Sequence, residues 1–519
     1  MTLSWMMETD MHPEIYLGPP GTGKTTTLLN IVDEELARQT DPTRIGFFSF
    51  TVKAANEAAE RAAERFKFDR KEKLPWFRTL HSMCFRVLGL RNSDMLVGEK
   101  MNEFANYVGL RVTGRAWSDD GILSGFEIGD RILFMENMAR VRMVPLKSQF
   151  DEFDDNLPWK EVKRVAEALA NFKKQNGLLD FTDTLSEFVK STASISLDVL
   201  IGDEMQDFSA LQWRVFEKLA KKARRVCVAG DDDQAIYRWS GADVEHMIDM
   251  DGKVRVLGQS FRCPPPVQLL SNEVIGPVKH RRAKVWRARE GGAGGIRRVN
   301  EFVDADMARD SVLVLARNNS YIQKIIEPVL RRIGVVYEMS NGKSSLNLDG
   351  LGAAETWTRL TRDKPVRLDE ARQMYQFLST NTGVKHGHKK LPSFGEIGDV
   401  LVTAAELVRD GGLRASLEKP WYDALDRIPS EDTVYMQAAL RHGEKLRSKP
   451  RVRVSTIHSA KGGEADHVVL MTDMALRTHD EMARNPDDER RVWYVGVTRA
   501  RDRLTLVDPD RSGRYCPWL

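Results

Sequence analysis

Alternating apolar strands and amphipathic helices predict an α/β protein with parallel sheets, and three features of the chain carry that expectation. The apolar triplet Ile15-Tyr16-Leu17 runs into a glycine-rich turn, Gly18-Pro19-Pro20-Gly21-Thr22-Gly23-Lys24-Thr25, after which Leu28, Ile31, Val32 and Leu36 recur at helical spacing. Further short apolar runs at 45–50, 198–202 and 226–230 are separated by helix-patterned stretches. A second α/β region begins at Ser311-Val312-Leu313-Val314-Leu315-Ala316, with strands expected at 452–454, 468–470 and 504–507. Sheets of this kind bind ligands at the carboxyl ends of their strands, which directs attention to the residues just past each run.

Composition narrows the classes. The 519 residues allow two to four domains, and 42% apolar with 29% charged residues is ordinary globular composition. A formal charge of +3 gives no global basic field, so any nucleic-acid surface must be local. Cys84, Cys227, Cys263 and Cys516 are scattered without a C-x-x-C pair, which argues for reduced thiols. No stretch approaches the ~20 apolar residues of a membrane span, and Glu8 and Asp10 interrupt any signal-peptide pattern. A cytoplasmic protein with no membrane attachment is expected.

Residues 18–25 match G-x-x-x-x-G-K-[ST], a loop whose backbone N–H groups cradle phosphates at a helix N-terminus. Lys24 would sit on the outer phosphates, and Thr25 would hold Mg²⁺ through its hydroxyl. The next strand ends at Phe50, and Thr51-Val52-Lys53-Ala54-Ala55 opens an Ala/Glu/Arg-rich helix, placing Phe50 and Lys53 near the ligand edge. Thr79-Leu80-His81-Ser82 precedes a mostly helical region to about residue 176, whose Trp and Phe residues read as core. The run Asp198 to Glu204 is an apolar strand ending in two carboxylates; beside a phosphate loop, Asp203 can bind Mg²⁺ and Glu204 can take a proton from attacking water.

Strand 226–230 leads into Asp231-Asp232-Asp233-Gln234-Ala235-Ile236-Tyr237-Arg238-Trp239-Ser240-Gly241-Ala242. The plain reading is an acidic turn with two packed aromatics. The sharper one makes Gln234 a sensor of the terminal phosphate and Tyr237 and Trp239 platforms for single-stranded bases. The most basic stretch, 279–289, is either a solvated face or a phosphate-contacting edge. A helical, Arg-rich insertion spans 336–446; its Asn341-Gly342-Lys343-Ser344 lacks the context of a second phosphate loop. Near the end, Val454 to Glu464 suits contact with a sugar or a strand backbone, and 490–501 sets arginines on a helix, either solvated or supplying an arginine finger.

In their order along the chain these motifs resemble those of the UvrD/Rep/PcrA family of superfamily 1 DNA helicases. Thr22 to Thr25 matches motif I, Phe50 to Ala55 looks like FTNKAA, and Thr79 to Ser82 looks like TFHS. Asp180-Phe181-Thr182-Asp183 is similar to the DFDD segment before motif II, which Asp203-Glu204-Met205-Gln206-Asp207 matches. Asp231 to Ala242 resembles motif III, Ser260-Phe261-Arg262 motif IV, Thr456 to Glu464 motif V and Tyr494 to Ala500 motif VI.

The resemblance implies two RecA-like P-loop NTPase domains with parallel sheets, each carrying a mainly helical insertion: 1–85 with 177–257 around an insertion at 86–176, and 258–335 with 447–519 around a shortened insertion at 336–446. It implies ATP and Mg²⁺, and hydrolysis coupled to 3′–5′ movement on single-stranded DNA and to unwinding at single-strand/duplex junctions in replication, repair or recombination. Carried over position by position, Gly18, Pro19, Pro20, Gly21, Thr22, Gly23, Lys24 and Thr25 would hold the nucleotide with Phe261 and Glu464, the latter on the ribose. Thr25 and Asp203 would hold Mg²⁺, Glu204 would orient water, Gln234 would sense the γ-phosphate, and Arg262 and Arg499 would reach it from the second domain. Phe50, His81, Tyr237, Trp239 and His458 would line the single-strand track.

Departures accompany the matches. Met1 to Asp10 contains no Gln for an upstream adenine-reading motif, Thr26 replaces an adenine-stacking Arg, and Ser240 replaces the motif III Arg. Gly463 stands for the usual Leu, and Phe261 lacks a Tyr hydroxyl. A small-metabolite kinase would account for Lys24 and Asp203 but not for the aromatic platform or Arg499. A decayed ATPase would have lost one of Lys24, Glu204, Arg262 or Arg499, and all four are present. An RNA-directed motor stays open, because stacking reads no sugar.

Overall fold

The computed structural model describes residues 12–519 apart from 68, 70–72, 115–126, 154–155, 293, 309–310, 381, 395–399 and 510–512. The segment Met1 to Asp10, where the upstream Gln motif was sought, lies outside the described residues, as does the side chain of Lys53. The chain forms two compact units, one of Met1–Arg298, Leu315–Asn319 and Thr456–Leu519, the other of Val299–Val314 and Ser320–Ser455.

In the first unit β1 (Glu14–Leu17), β2 (Ile45–Ser49), β3 (Phe77–Arg78), β4 (Val199–Asp203), β5 (Arg225–Gly230) and β6 (Lys253–Val256) form a parallel sheet ordered β3-β2-β4-β5-β1-β6. Successive strand residues face opposite sides of the pleat, and the sequence serves both. Phe48, Leu200, Val226 and Val228 enter one core with Met83, Phe188, Trp213 and Phe216. Phe47, Val199, Ile201 and Cys227 enter another with Leu28, Ile31, Val32 and Phe77. Burial on both faces is why these strands read as unbroken apolar runs.

Side-chain caps start the helices that follow. Thr51 accepts from Ala54 N at the head of Val52–Phe66, Thr79 from Ser82 N at Leu80–Val87, and Ser209 and Gln212 cap each other at Ala210–Ala220. The expected helical region is present as Glu99–Val108, Ile128–Val141, Leu146–Glu152 and Trp159–Asn176, packed around Phe104, Ile132, Met135, Val162 and Leu169. The Asp180-Phe181-Thr182-Asp183 segment ties this region to the sheet domain. Asp180 and Asp183 box the start of helix Phe181–Lys190 and accept from Arg140 of Ile128–Val141 and Lys173 of Trp159–Asn176 at 2.6–3.0 Å.

The remaining strands are β7 (Gly295–Val299), β8 (Val312–Ala316), β9 (Tyr337–Met339), β10 (Val366–Arg367), β11 (Leu401–Val402), β12 (Val452–Thr456), β13 (Ala465–Met471) and β14 (Ala500–Val507). The first unit carries the run β7-β14-β13, with β13 and β14 parallel, and the helix Pro486–Val497 leading into β14. The second unit carries the run β8-β12-β9, with β12 and β9 parallel, so parallel-sheet α/β architecture occurs twice along the chain, as expected. Its helices Leu348–Leu360, Leu368–Tyr375 and Ser430–Arg441 enclose Trp357, Tyr375, Leu378, Leu407 and Tyr435. The Trp357 indole N–H donates to Lys419 O at 2.9 Å.

Two short features were not legible. β9 is three residues long, too brief to show a period of two, and it opens a segment read as helical. Asn341 to Ser344 is the tight turn after it: Met339 N donates to Lys343 O at 2.9 Å, and Gly342 has φ 82°. It is no phosphate loop. All four cysteines are buried and free, and no helix among the described residues is long and apolar enough to cross a membrane.

Candidate functional site: a phosphate loop joined to an aromatic cluster

The loop from Gly18 to Gly23 leaves the carboxyl end of β1 and opens helix Lys24–Ala37. Gly21 and Gly23 hold left-handed φ values of 71° and 77°, conformations a side chain would strain. Gly21 has a second reason to lack a side chain: a Cβ there would lie 2.3 Å from Arg262 Cβ. The segment carrying Arg262 rests on the loop itself. Ser260 Oγ donates to Pro20 O at 2.8 Å and Phe261 N to Gly21 O at 2.8 Å. Phe261 is 66% exposed, with one ring edge 3.9 Å from where a Gly23 Cβ would stand, and offers a free aromatic face beside the loop.

Lys24 Nζ donates to Gly18 O at 2.9 Å and lies 3.7 Å from Glu204 Oε1. Thr25 Oγ1 donates to Asp203 Oδ2 at 2.8 Å, which brings the two expected Mg²⁺ groups together from positions 178 residues apart. Hydroxyl and carboxylate oxygens suit that hard cation, which keeps several waters and needs few protein donors. Burial and the neighbouring Glu204 charge push Asp203 up to about 6. Burial opposes charge on Glu204 too, but Lys24 and Lys461 outweigh it and hold Glu204 below the ordinary range. Glu204 is also left-handed, with φ 53°, strain of the sort that collects at functional positions.

Arg499 terminates helix Pro486–Val497 and is 1% exposed. Its Nη2 donates to Gln234 Oε1 at 2.9 Å, its Nε to Val495 O and its Nη1 to Gly463 O. Burial, then the Arg262 charge, pushes its pKa down to about 9. Gln234 Nε2 in turn donates to Asp231 Oδ2 at 2.7 Å. Arg262 Nε donates to Glu464 Oε2 at 2.6 Å, pairing the second expected arginine with the expected ribose ligand.

The aromatic candidates form a cluster of their own. Phe50 and Tyr237 stack at 5.5 Å with planes 24° apart. Trp239 stands about edge-on to both Tyr237 and His458 at 6.2 Å, and Tyr237 Oη donates to His458 O at 3.1 Å. His458 is 2% exposed and supports the cluster from beneath; burial drives its pKa well below the ordinary value. His81, pushed down to about 4 by burial, lines with Phe50, Phe181, Asp207 and Arg140 a cavity of about 600 Å³ that opens beside the cluster.

Two residues quoted only as parts of motifs turn out to join these groups. Gln206 Nε2 donates to Glu204 Oε2 at 2.6 Å while its Oε1 accepts from Asp231 N at 3.0 Å. Lys461 Nζ donates to Asp207 Oδ1 at 2.7 Å and to Gln234 O, and lies 5.0 Å from the Tyr237 ring centroid. A glutamine two residues past the paired carboxylates was the available signal for the first; nothing in the local pattern pointed to the partners of the second.

The fold divides the basic run at 279–289: Lys279, His280 and Arg287 are exposed, as a solvated face requires, whereas other members are turned inward. Arg281 pairs with Asp233, Arg282 N donates to Asp232 Oδ2, and Lys284, with its side chain 1% exposed, contacts Asp231, Asp232 and Asp233. Arg281 and Lys284 are thus neutralised by aspartates distant in sequence, while the Arg282 guanidinium donates to Ile248 O and Met250 O.

Residues 12–255 match the UvrD/REP helicase N-terminal domain family, and residues 429–508 match the UvrD-like helicase C-terminal domain family. The chain is also similar to the ATP-dependent DNA helicase PcrA of Staphylococcus epidermidis, at 23% identity over 97% of this chain and 82% of the relative. It is similar to the protein of the same name from Staphylococcus aureus at 24% identity, over 96% and 82%. A phosphate loop, paired carboxylates, a buried arginine held on a buried glutamine and both family matches converge: the chain belongs to the UvrD/Rep/PcrA-like family of superfamily 1 ATP-dependent DNA helicases.

Proposed function

We propose that this protein is a 3′–5′ translocase on single-stranded DNA that hydrolyses ATP and opens duplexes at single-strand/duplex junctions, in replication, repair or recombination within the cytoplasm. The observation that supports it best is continuity. One hydrogen-bonded path runs Arg499–Gln234–Asp231–Gln206–Glu204, and Lys461 joins that path to the ring of Tyr237. A change in how bases stack on Phe50, Tyr237 and Trp239 is thereby felt at the groups that act on phosphate.

In this reading Gly18 to Thr25 bind the triphosphate, with Lys24 on its outer oxygens, Phe261 against the base and Glu464 on the ribose. Glu204 orients water in line with the γ-phosphorus and accepts its proton as the bond to ADP breaks. Arg262, Arg499 and Gln234 stabilise charge on the equatorial oxygens, since phosphoryl transfer asks for positioning and electrostatics above all. Thr25 and Asp203 would hold Mg²⁺, which when bound supplies charge neutralisation between the β- and γ-phosphates. His81 completes the single-strand track from the neighbouring cavity, and His458, too buried to touch the strand itself, carries the platform by accepting from Tyr237 Oη at its backbone oxygen. The four-part division set out from the sequence, with two RecA-like domains and two insertions, is part of the proposal.

The test is hydrolysis of each NTP with and without single-stranded DNA or RNA oligonucleotides, followed by unwinding of duplexes tailed at either end. Stimulation by DNA and unwinding only from a 3′ tail are expected. Equal stimulation by RNA, or unwinding from a 5′ tail, would overturn the reading.

A further inference from the structure

We infer that Lys284 is a positioning residue for the hydrolytic site, acting through Asp231 on Gln234 and Glu204. The inference rests on the ATPase reading above. Lys284 belongs to the basic run, in a stretch without regular secondary structure, yet its ammonium is as buried as any core group. It lies 2.9 Å from Asp231 Oδ1 and 3.0 Å from Asp233 Oδ2, and it donates to Asp232 Oδ1. Three carboxylates this deeply buried cannot all stay ionised without cations beside them. Arg281 supplies one, confined to Asp233. Among the described residues, Lys284 is the cation in direct contact with Asp231.

Asp231 is where the two halves of the site meet. Its Oδ2 accepts from Gln234 Nε2 at 2.7 Å, and its backbone N–H donates to Gln206 Oε1 at 3.0 Å, whose Nε2 donates to Glu204. The orientation of Gln234 follows from chemistry. An ionised carboxylate only accepts and a guanidinium only donates, so the amide must turn its nitrogen to Asp231 and its oxygen to Arg499. Should Asp231 take up a proton, it becomes a donor on one oxygen and the amide loses the reason to face that way. Lys284 keeps Asp231 ionised, and so keeps Gln234 turned to hold Arg499.

The prediction separates turnover from binding. With saturating single-stranded DNA, Lys284→Met should lower kcat by roughly tenfold or more, the scale on which outer partners of catalytic groups act. KM for ATP and the oligonucleotide affinity should stay within about twofold of the parent, and Lys284→Arg, which keeps the charge, should recover most of the rate. Because Lys284→Met removes a buried charge and can fail to fold, Asp231→Asn is the companion variant, expected to show the same loss of kcat at unchanged KM. A kcat unchanged in either variant, a parallel loss of kcat and affinity, or no recovery with arginine would overturn the role. An inactive parent protein would instead reject the ATPase reading itself.

Discussion

Lys24 is held by Gly18 O and faces Glu204, which fixes its ammonium between the phosphate loop and the paired carboxylates. Lys24→Ala should therefore abolish DNA-stimulated hydrolysis while single-strand binding, which the proposed function assigns to the aromatic cluster, remains measurable by fluorescence anisotropy. Arg499 is different in kind. It is buried and held through Gln234, and in the proposed function its charge acts when negative charge grows on the transferring group. Arg499→Ala should lower kcat by about a hundredfold or more with a far smaller change in nucleotide affinity, which parallel turnover and nucleotide titrations will reveal. Trp239 stands at the edge of the ring cluster, only partly buried. Trp239→Ala should weaken single-strand binding by about 1–3 kcal/mol, the value of one base on one ring, and an unchanged oligonucleotide affinity would return Trp239 to a packing role.

At the scale of elements, the joint between the helical region and the sheet domain is an ionic one. Arg140 bridges Asp180, Asp183 and Glu136, and Lys173 meets the same two aspartates. These groups are largely buried, and burial alone would raise Asp180; instead Arg140 and Lys173 hold it far below the ordinary carboxylate range. Arg140→Ala leaves Glu136 and two aspartates with one lysine, and should cost about 3 kcal/mol in urea-induced unfolding. The DFTD motif is thus structural in its aspartates, while the exposed ring of Phe181 lies beside the cavity that Phe50 and His81 line.

For the molecule as a whole, the two buried histidines make a contribution to acid sensitivity whose sign is defined. Burial holds His81 near 4 and His458 well below its ordinary value, so the folded chain keeps both neutral. The unfolded chain protonates each below about 6.5 and therefore binds more protons there than the folded one. Stability carried by these histidines is present above that pH and is lost as pH falls from about 6.5 toward 4. Buried Asp203 and Asp207, each raised to about 6, act in the opposite direction over the same window, so the check is a difference: the parent should lose more stability between about pH 6.5 and 4 than His81→Gln does, and identical melting profiles would remove His81 as a cause.

Several parts of this protein were legible without coordinates, for local reasons. The phosphate loop needs two left-handed glycines and a lysine at fixed spacing, and the strands buried on both faces show as apolar runs ending where the chemistry begins. Phe50, Asp203, Glu204 and Gln234 were each found by looking just past such an end. What the sequence could not show was partnership over distance. Within the basic run at 279–289, Arg281 and Lys284 look solvated until Asp231, Asp232 and Asp233 are folded against them, and Lys461 is one lysine among many until Asp207 and Tyr237 surround it. Periodicity and motif spacing report on neighbours along the chain, whereas the cost of burying a charge is set by whatever the fold brings beside it, and only the tertiary structure decided that.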